Sequence, residues 1–142
     1  PALGRALDLV GATVAEAGRA GVPAERVVLI GFSQGACLAL EYAARHARRY
    51  GGVAALSGGL IGPEGTARDY VGSLAGTPVF LGCGDLDGHI PVWRVRESTQ
   101  VLRGLGAEVT ERIYPGLGHT VVEDEIRQVQ AMLAAVVPVD AA

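Results

Sequence analysis

The order of apolar patterns along the chain predicts a three-layer α/β fold on a parallel sheet. Helix-period and strand-like patterns alternate, which is the signature of βαβ units. Three apolar runs are uninterrupted by polar residues, as strands buried on both faces require. A last strand instead alternates apolar and polar residues, which suits a sheet edge.

Each element follows from its residues. Leu3, Leu7, Val10, Val14 and Ala17 recur in steps of three and four and mark one face of a helix. Gly18 and Gly21 weaken its end and Pro23 stops it. Val27-Val28-Leu29-Ile30 is the first strand. An Ala-rich helix covers about Gln34 to Arg49. Val53 to Leu56 and Val79 to Leu81 are the second and third strands, the latter opened by Thr77-Pro78. Val92 to Gly104 reads as a helix with Val92, Val95 and Leu102 inward. Glu108 to Tyr114 alternates, with Val109 and Ile113 on one face and Glu108, Thr110 and Arg112 outward. Val122, Ile126, Val129, Leu133 and Val136 form a last helical stripe ended by Pro138, with Thr120 and Glu123 as a capping box. About five helices surround four strands. Ile61 to Gly76 is the one long irregular stretch.

The expectation is one domain over residues 1–142, partial at its N-terminal side. Val27 to Ile30 reads as an interior strand, yet only one helix precedes it. Strands that would lie before Pro1 are therefore expected to be missing. The uncovered strand edge would favour pairing with another chain, including a second copy of this one.

Composition narrows the function classes. The chain is 49% apolar and 19% charged, which excludes a disordered protein. Its 21 glycines are about twice the usual share of roughly 7% and follow no Gly-X-Y period, so they serve turns and close approaches. All 12 basic residues are Arg, and Lys and Asn are absent, a mark of nucleotide composition rather than function. A net charge of −3 without a basic block argues against a nucleic-acid partner. No apolar run approaches the roughly 18 residues of a membrane span. Cys37 and Cys83 fit no metal spacing, and the default is a reduced, cytoplasmic state.

Chemistry enters at Gly31-Phe32-Ser33-Gln34-Gly35, a G-x-S-x-G pentapeptide between a strand and a helix. That context makes it a nucleophile elbow. The turn is tight, and side chains at Gly31 or Gly35 are expected to clash with the adjoining strand and helix. Ser33 Oγ would stand exposed at a helix N-terminus, and the Gln34 N–H would be one oxyanion-hole donor. A serine hydroxyl needs a base, and the base an orienting acid. Gly84-Asp85-Leu86-Asp87-Gly88-His89-Ile90-Pro91 and Pro115-Gly116-Leu117-Gly118-His119-Thr120 each follow a strand. Both lie where open α/β sheets place their ligands. Asp85 and Asp87 compete as acid, and His119 and His89 as base.

With Gly31 to Ala36, Gly84 to Pro91 and Tyr114 to His119 in this order, the chain resembles the C-terminal two-thirds of an α/β-hydrolase. Within that superfamily it is similar to the phospholipase/carboxylesterase family, which includes the acyl-protein thioesterases. Ala55-Leu56-Ser57-Gly58 resembles a further family segment. The resemblance implies Ser33 as nucleophile, Asp87 as acid and His119 as base. It implies hydrolysis of a carboxylic ester or thioester, esterase- or lysophospholipase-like, with no cofactor or metal. The substrate class would be a small-molecule ester or a lipid-like molecule. The family's G-x-x-D-x-x-I-P spacing selects Asp87 over Asp85. Family members carry further strands upstream and a loop there with the second oxyanion donor, so this chain alone is expected to turn over slowly. A non-catalytic hydrolase fragment, and another activity of the same fold such as an acyltransferase or peptidase, remain open alternatives. His46 is expected on a solvated helix end and Cys37 in the core against the sheet. Trp93 and Met132 are expected in core or lid-side packing, and Glu123 to Glu125 at a helix N-terminus.

Overall fold

The computed structural model describes residues 1–137. Its elements are α1 (Ala2–Arg19), a 3-10 turn (Ala24–Arg26), β1 (Val28–Phe32), α2 (Gln34–Arg45), β2 (Gly52–Leu56), β3 (Pro78–Gly84), α3 (Val92–Gly104), β4 (Glu108–Tyr114) and α4 (Glu123–Val136). The four strands form one parallel sheet in the order β1-β2-β3-β4. Four α-helices and the 3-10 turn are present among the described residues, close to the five helices expected.

The second and third uninterrupted runs became the interior strands β2 and β3. Every residue of β2 is buried, and so is all of β3 after Pro78. Val53, Ala55, Val79, Leu81 and Cys83 join the core cluster together with α2 residues and Val95 and Leu102 of α3. Burying a Val or Leu side chain contributes about 1.5–3 kcal/mol, so each of these residues stabilises the fold appreciably. Alternate strand residues face the opposite side, where Met132 of α4 presses on Gly52. β4 lies at the sheet edge with the expected alternation, Val109 and Ile113 half-buried and Glu108, Thr110 and Arg112 exposed.

Four expectations need correction. β1 begins at Val28 and runs to Phe32, later than Val27–Ile30. Val27 closes the 3-10 turn by donating to the Ala24 carbonyl, and its own carbonyl accepts from Gly51 and Gly52. The strand's place agrees with the uncovered edge expected of it: β1 is an end strand of the described sheet, with Ile30 44% and Phe32 37% exposed. The second helix stops at Arg45 rather than Arg49. Buried Tyr50 donates its hydroxyl to the His46 carbonyl at 2.6 Å, which satisfies the helix end, and Thr77 Oγ1 hydrogen-bonds the carbonyls of Arg48 and Leu74. His46 itself is exposed.

The α4 stripe is rotated from its expected face. Ile126 and Leu133 are 43% and 41% exposed, whereas Glu125 is buried and Met132 half-buried. Two contacts explain this. Glu125 Oε1 accepts the Val122 N–H at 3.0 Å, and its other oxygen lies over Gly82, where a side chain would overlap it. Burial pushes the Glu125 carboxyl up. The helix cap is accordingly Val122 with Glu125, not Thr120 with Glu123. Pro138, expected to end this helix, lies outside the described residues.

Candidate active site

The first site residue is held by the turn between β1 and α2. Ser33 has φ 57° and ψ −116°, a conformation that is strained for any residue with a Cβ. The Ser33 N–H donates to the Leu56 carbonyl at 2.9 Å, and its carbonyl accepts from Cys37, the first turn of α2. Gly31 is required here, because a methyl group on it would overlap the Gly35 carbonyl. Gly35 is not: a Cβ there meets open space, contrary to the expected clash. Gly31→Ala should therefore destabilise by about 3 kcal/mol through overpacking, whereas Gly35→Ala should stay within about 1 kcal/mol. Urea midpoints of the two variants test this, and equal losses would show that the turn does not depend on the close approach at Gly31.

The loops after β3 and β4 are laced to each other. Asp85 N–H donates to the Tyr114 carbonyl at 3.0 Å and Leu86 N–H to the Leu117 carbonyl at 2.9 Å. Asp85 Oδ1 accepts the Gly116 N–H at 2.7 Å. Gly84 lets the second loop approach, since a side chain there would overlap the Leu117 and Gly118 carbonyls. This lacing brings His119 beside Asp87.

The result is a line of three side chains. His119 Nδ1 lies 2.6 Å from Asp87 Oδ2, and His119 Nε2 lies 2.8 Å from Ser33 Oγ. The other Asp87 oxygen accepts the N–H groups of His89 and Ile90 at 2.8 and 2.9 Å. With Nδ1 protonated toward the carboxylate, Nε2 is an acceptor for the Ser33 hydroxyl. The Asp87 side chain is fully buried, and that of His119 is 20% exposed. Burial pushes the Asp87 carboxyl up, but donation from His119, Ile90 and His89 outweighs it and holds the group below its ordinary value. The imidazole is flanked by the Phe32 ring at 4.8 Å and the His89 ring at 4.6 Å between centroids. The Gln34 N–H opens α2, where a helix leaves its first donors without intrahelical partners.

The structure thus brings Ser33, Asp87 and His119 together and leaves Asp85 as a loop-holding group. His89 is exposed and touches the line only through its ring and backbone. Ser57 repeats the φ of 57°, but its Oγ faces the Thr120 carbonyl at 3.4 Å and is fully buried. Glu123 pairs with Arg127, and Asp124 with Arg112 and Tyr114, so the acidic cluster is engaged at the helix N-terminus. Among the described residues no group of His, Cys, Asp and Glu is placed to hold a metal. No described helix is long and apolar enough to cross a membrane.

A cleft of about 790 Å³ opens at the start of α2, where Gln34 and Gly35, the two residues after Ser33, line it. Leu3, Leu38, Leu60, Ile61, Ile90 and Trp93 give it an apolar lining. Cys37, expected in the core, is half-buried and lines this cleft instead.

Cys83 lies beneath the line, its sulfur 3.6 Å from Asp87 Oδ2. Burial and the Asp87 charge push its thiol from 9.0 up to about 12. Between those values the unfolded chain binds fewer protons than the folded one, so stability falls as pH rises. Tyr70, pushed up to about 12 by burial and by Glu41, acts in the same sense. Cys83→Ala should therefore flatten, without abolishing, the decline of Tm across that alkaline window. An unchanged slope would mean that Cys83 ionises in the folded protein as it does in the unfolded one.

A parallel α/β sheet with a serine on a strained strand-to-helix turn defines the class of the α/β-hydrolases. Within it, this chain belongs to the phospholipase/carboxylesterase family, whose profile matches residues 3–137. It is 36% identical over 121 residues to acyl-protein thioesterase 1 of Gibberella zeae, covering 83% of this chain and 51% of that protein. It is 31% identical over 116 residues to a probable inactive carboxylesterase of Oryza sativa, covering 82% of this chain and 47% of the relative. The chain spans about half the length of the curated relatives it matches. A crystal structure of a phospholipase/carboxylesterase from Dyadobacter fermentans superposes with a TM-score of 0.89 at 49% identity, over 94% of this chain and 64% of that one.

Proposed function

We propose that this chain carries the catalytic residues of a serine hydrolase acting on carboxylic esters or thioesters. The continuous hydrogen-bonded line from Ser33 through His119 to Asp87 carries this reading. Ser33 Oγ attacks the carbonyl carbon while His119 Nε2 takes its proton. Asp87 holds the imidazole in the tautomer that can accept, and stabilises the imidazolium. The Gln34 N–H donates to the tetrahedral oxyanion. Collapse expels the alcohol or thiol, protonated by His119. Water then attacks the acyl-enzyme by the same steps with His119 as base again.

The apolar cleft at the start of α2 takes the acyl group, which favours a lipid-like or small apolar ester. A relative carries the name inactive carboxylesterase, so family membership alone does not establish turnover. Here all three side chains are present and within hydrogen-bonding distance, which supports an active site. The test is hydrolysis of p-nitrophenyl acetate and a matching thioester, with a fluorophosphonate probe and peptide mapping. Label on Ser33 and turnover of either substrate support the reading. Label on Ser57, or none on folded protein, overturns it.

A further inference from the structure

The wall of the cleft at Leu60 and Ile61 lies in the irregular stretch between β2 and β3, yet all four of its backbone polar groups are held by side chains. Leu60 N–H donates to Ser98 Oγ at 2.8 Å, and the Leu60 carbonyl accepts from Arg94 Nη1 at 3.2 Å. Ile61 N–H donates to Glu41 Oε1 at 2.8 Å, and its carbonyl accepts from Arg68 Nη1 at 2.5 Å. These four side chains come from α2, α3 and the loop itself. They are tied together: Glu97 Oε1 accepts from Arg94 Nη1 at 3.2 Å and Arg68 Nη2 at 3.3 Å. Arg68 also meets Glu41, which holds Tyr70 and Arg45 as well. The Glu41 side chain is 1% exposed and both arginines are 9% exposed. Gly59 packs directly on the Arg94 stem and near Ser98 Oγ, so the segment has no room to shift toward α3.

We infer that Glu41, Arg68, Arg94 and Ser98 are positioning residues that set acyl-chain selectivity by clamping the Leu60–Ile61 wall of the cleft. The inference rests on the proposed function, in which the acyl group occupies this cleft. Loops on a protein surface ordinarily leave their backbone groups to water and move. Here a network of charged side chains, with those of Glu41, Arg68 and Arg94 almost wholly buried, removes that freedom. Breaking one member leaves an uncompensated buried partner, and the wall relaxes. A long acyl chain meets the wall and a two-carbon one does not, so relaxation should act on the long chain alone.

Arg68→Met deletes the donor to Ile61, and Ser98→Ala, a milder change, deletes the acceptor of the Leu60 N–H. The first measurement is the rate at which octyl and ethyl fluorophosphonates label Ser33. The octyl-to-ethyl ratio should change by about tenfold in Arg68→Met and about threefold in Ser98→Ala, with the ethyl rate within about twofold of the parent. An unchanged ratio in folded variants, or equal losses on both probes, would overturn the clamp. The second measurement is independent of Ser33 chemistry. Trp93, the chain's one tryptophan, lines the cleft, and its fluorescence can follow titration with octanamide. The variants should shift the octanamide Kd by about the same factors. If no probe labels the parent, the hydrolase reading fails, and the octanamide titration still decides the clamp. An octanamide Kd identical in parent and both variants, or no binding to the parent, would overturn it.

Discussion

Ser33→Ala should lower ester hydrolysis by about six orders of magnitude, the size of loss that removing a serine nucleophile produces when the rest of its triad has nothing to act on. The hydroxyl lies 2.8 Å from His119 Nε2, the base that would take its proton. Alanine suits the turn no worse than serine, since both carry a Cβ at the same positive φ. The unfolding midpoint should therefore stay close to the parent's, while turnover and fluorophosphonate labelling vanish together. Residual hydrolysis within about a hundredfold of the parent would mean that another nucleophile or a bound water does the work.

Asp87→Asn should cost about 10⁴ in turnover while the fold survives. The asparagine can keep its carbonyl oxygen on the His89 and Ile90 N–H groups, which hold the aspartate at 2.8 and 2.9 Å. Its amide NH₂ then faces His119 Nδ1, which must become an acceptor. The ring proton moves to Nε2, and the imidazole can no longer take the proton of Ser33. Asp85→Asn is the matched control. Its side-chain oxygen still accepts the Gly116 N–H, so the expected loss is within about tenfold. Comparable losses from the two substitutions would reassign the orienting carboxylate.

How much of this was legible in the chain depended on the range of the interaction. The turn at Ser33 is written in five consecutive residues, because Gly31 is needed for a contact made four residues later. The interior strands were legible because a strand buried on both faces has no polar side, and β2 has none. The choice between Asp85 and Asp87 was not settled by local pattern. Both follow β3, and only the family's spacing favoured Asp87. The clamp on Leu60 and Ile61 gave no local signal, because Glu41 and Arg68 stand 20 and 7 residues from Ile61 and meet it only in the folded chain.

Periodicity and turn chemistry, which act between near neighbours, were enough for the sequence to determine the parallel α/β fold, the strained serine and the candidate histidine and carboxylates. Only the tertiary structure decided which face of α4 turns inward, where Glu125 displaces Ile126 because Val122 needs an acceptor and Gly82 leaves room. It also decided that Ser33, Asp87 and His119 meet, although they stand 86 and 32 residues apart in the pairs that touch. That meeting depends on strand order. β1 and β3 lie on either side of β2, and β4 pairs with β3, so their carboxyl ends share one edge of the sheet. Helix and strand periods carry no information about such neighbours, because each records only which side of its own element is buried.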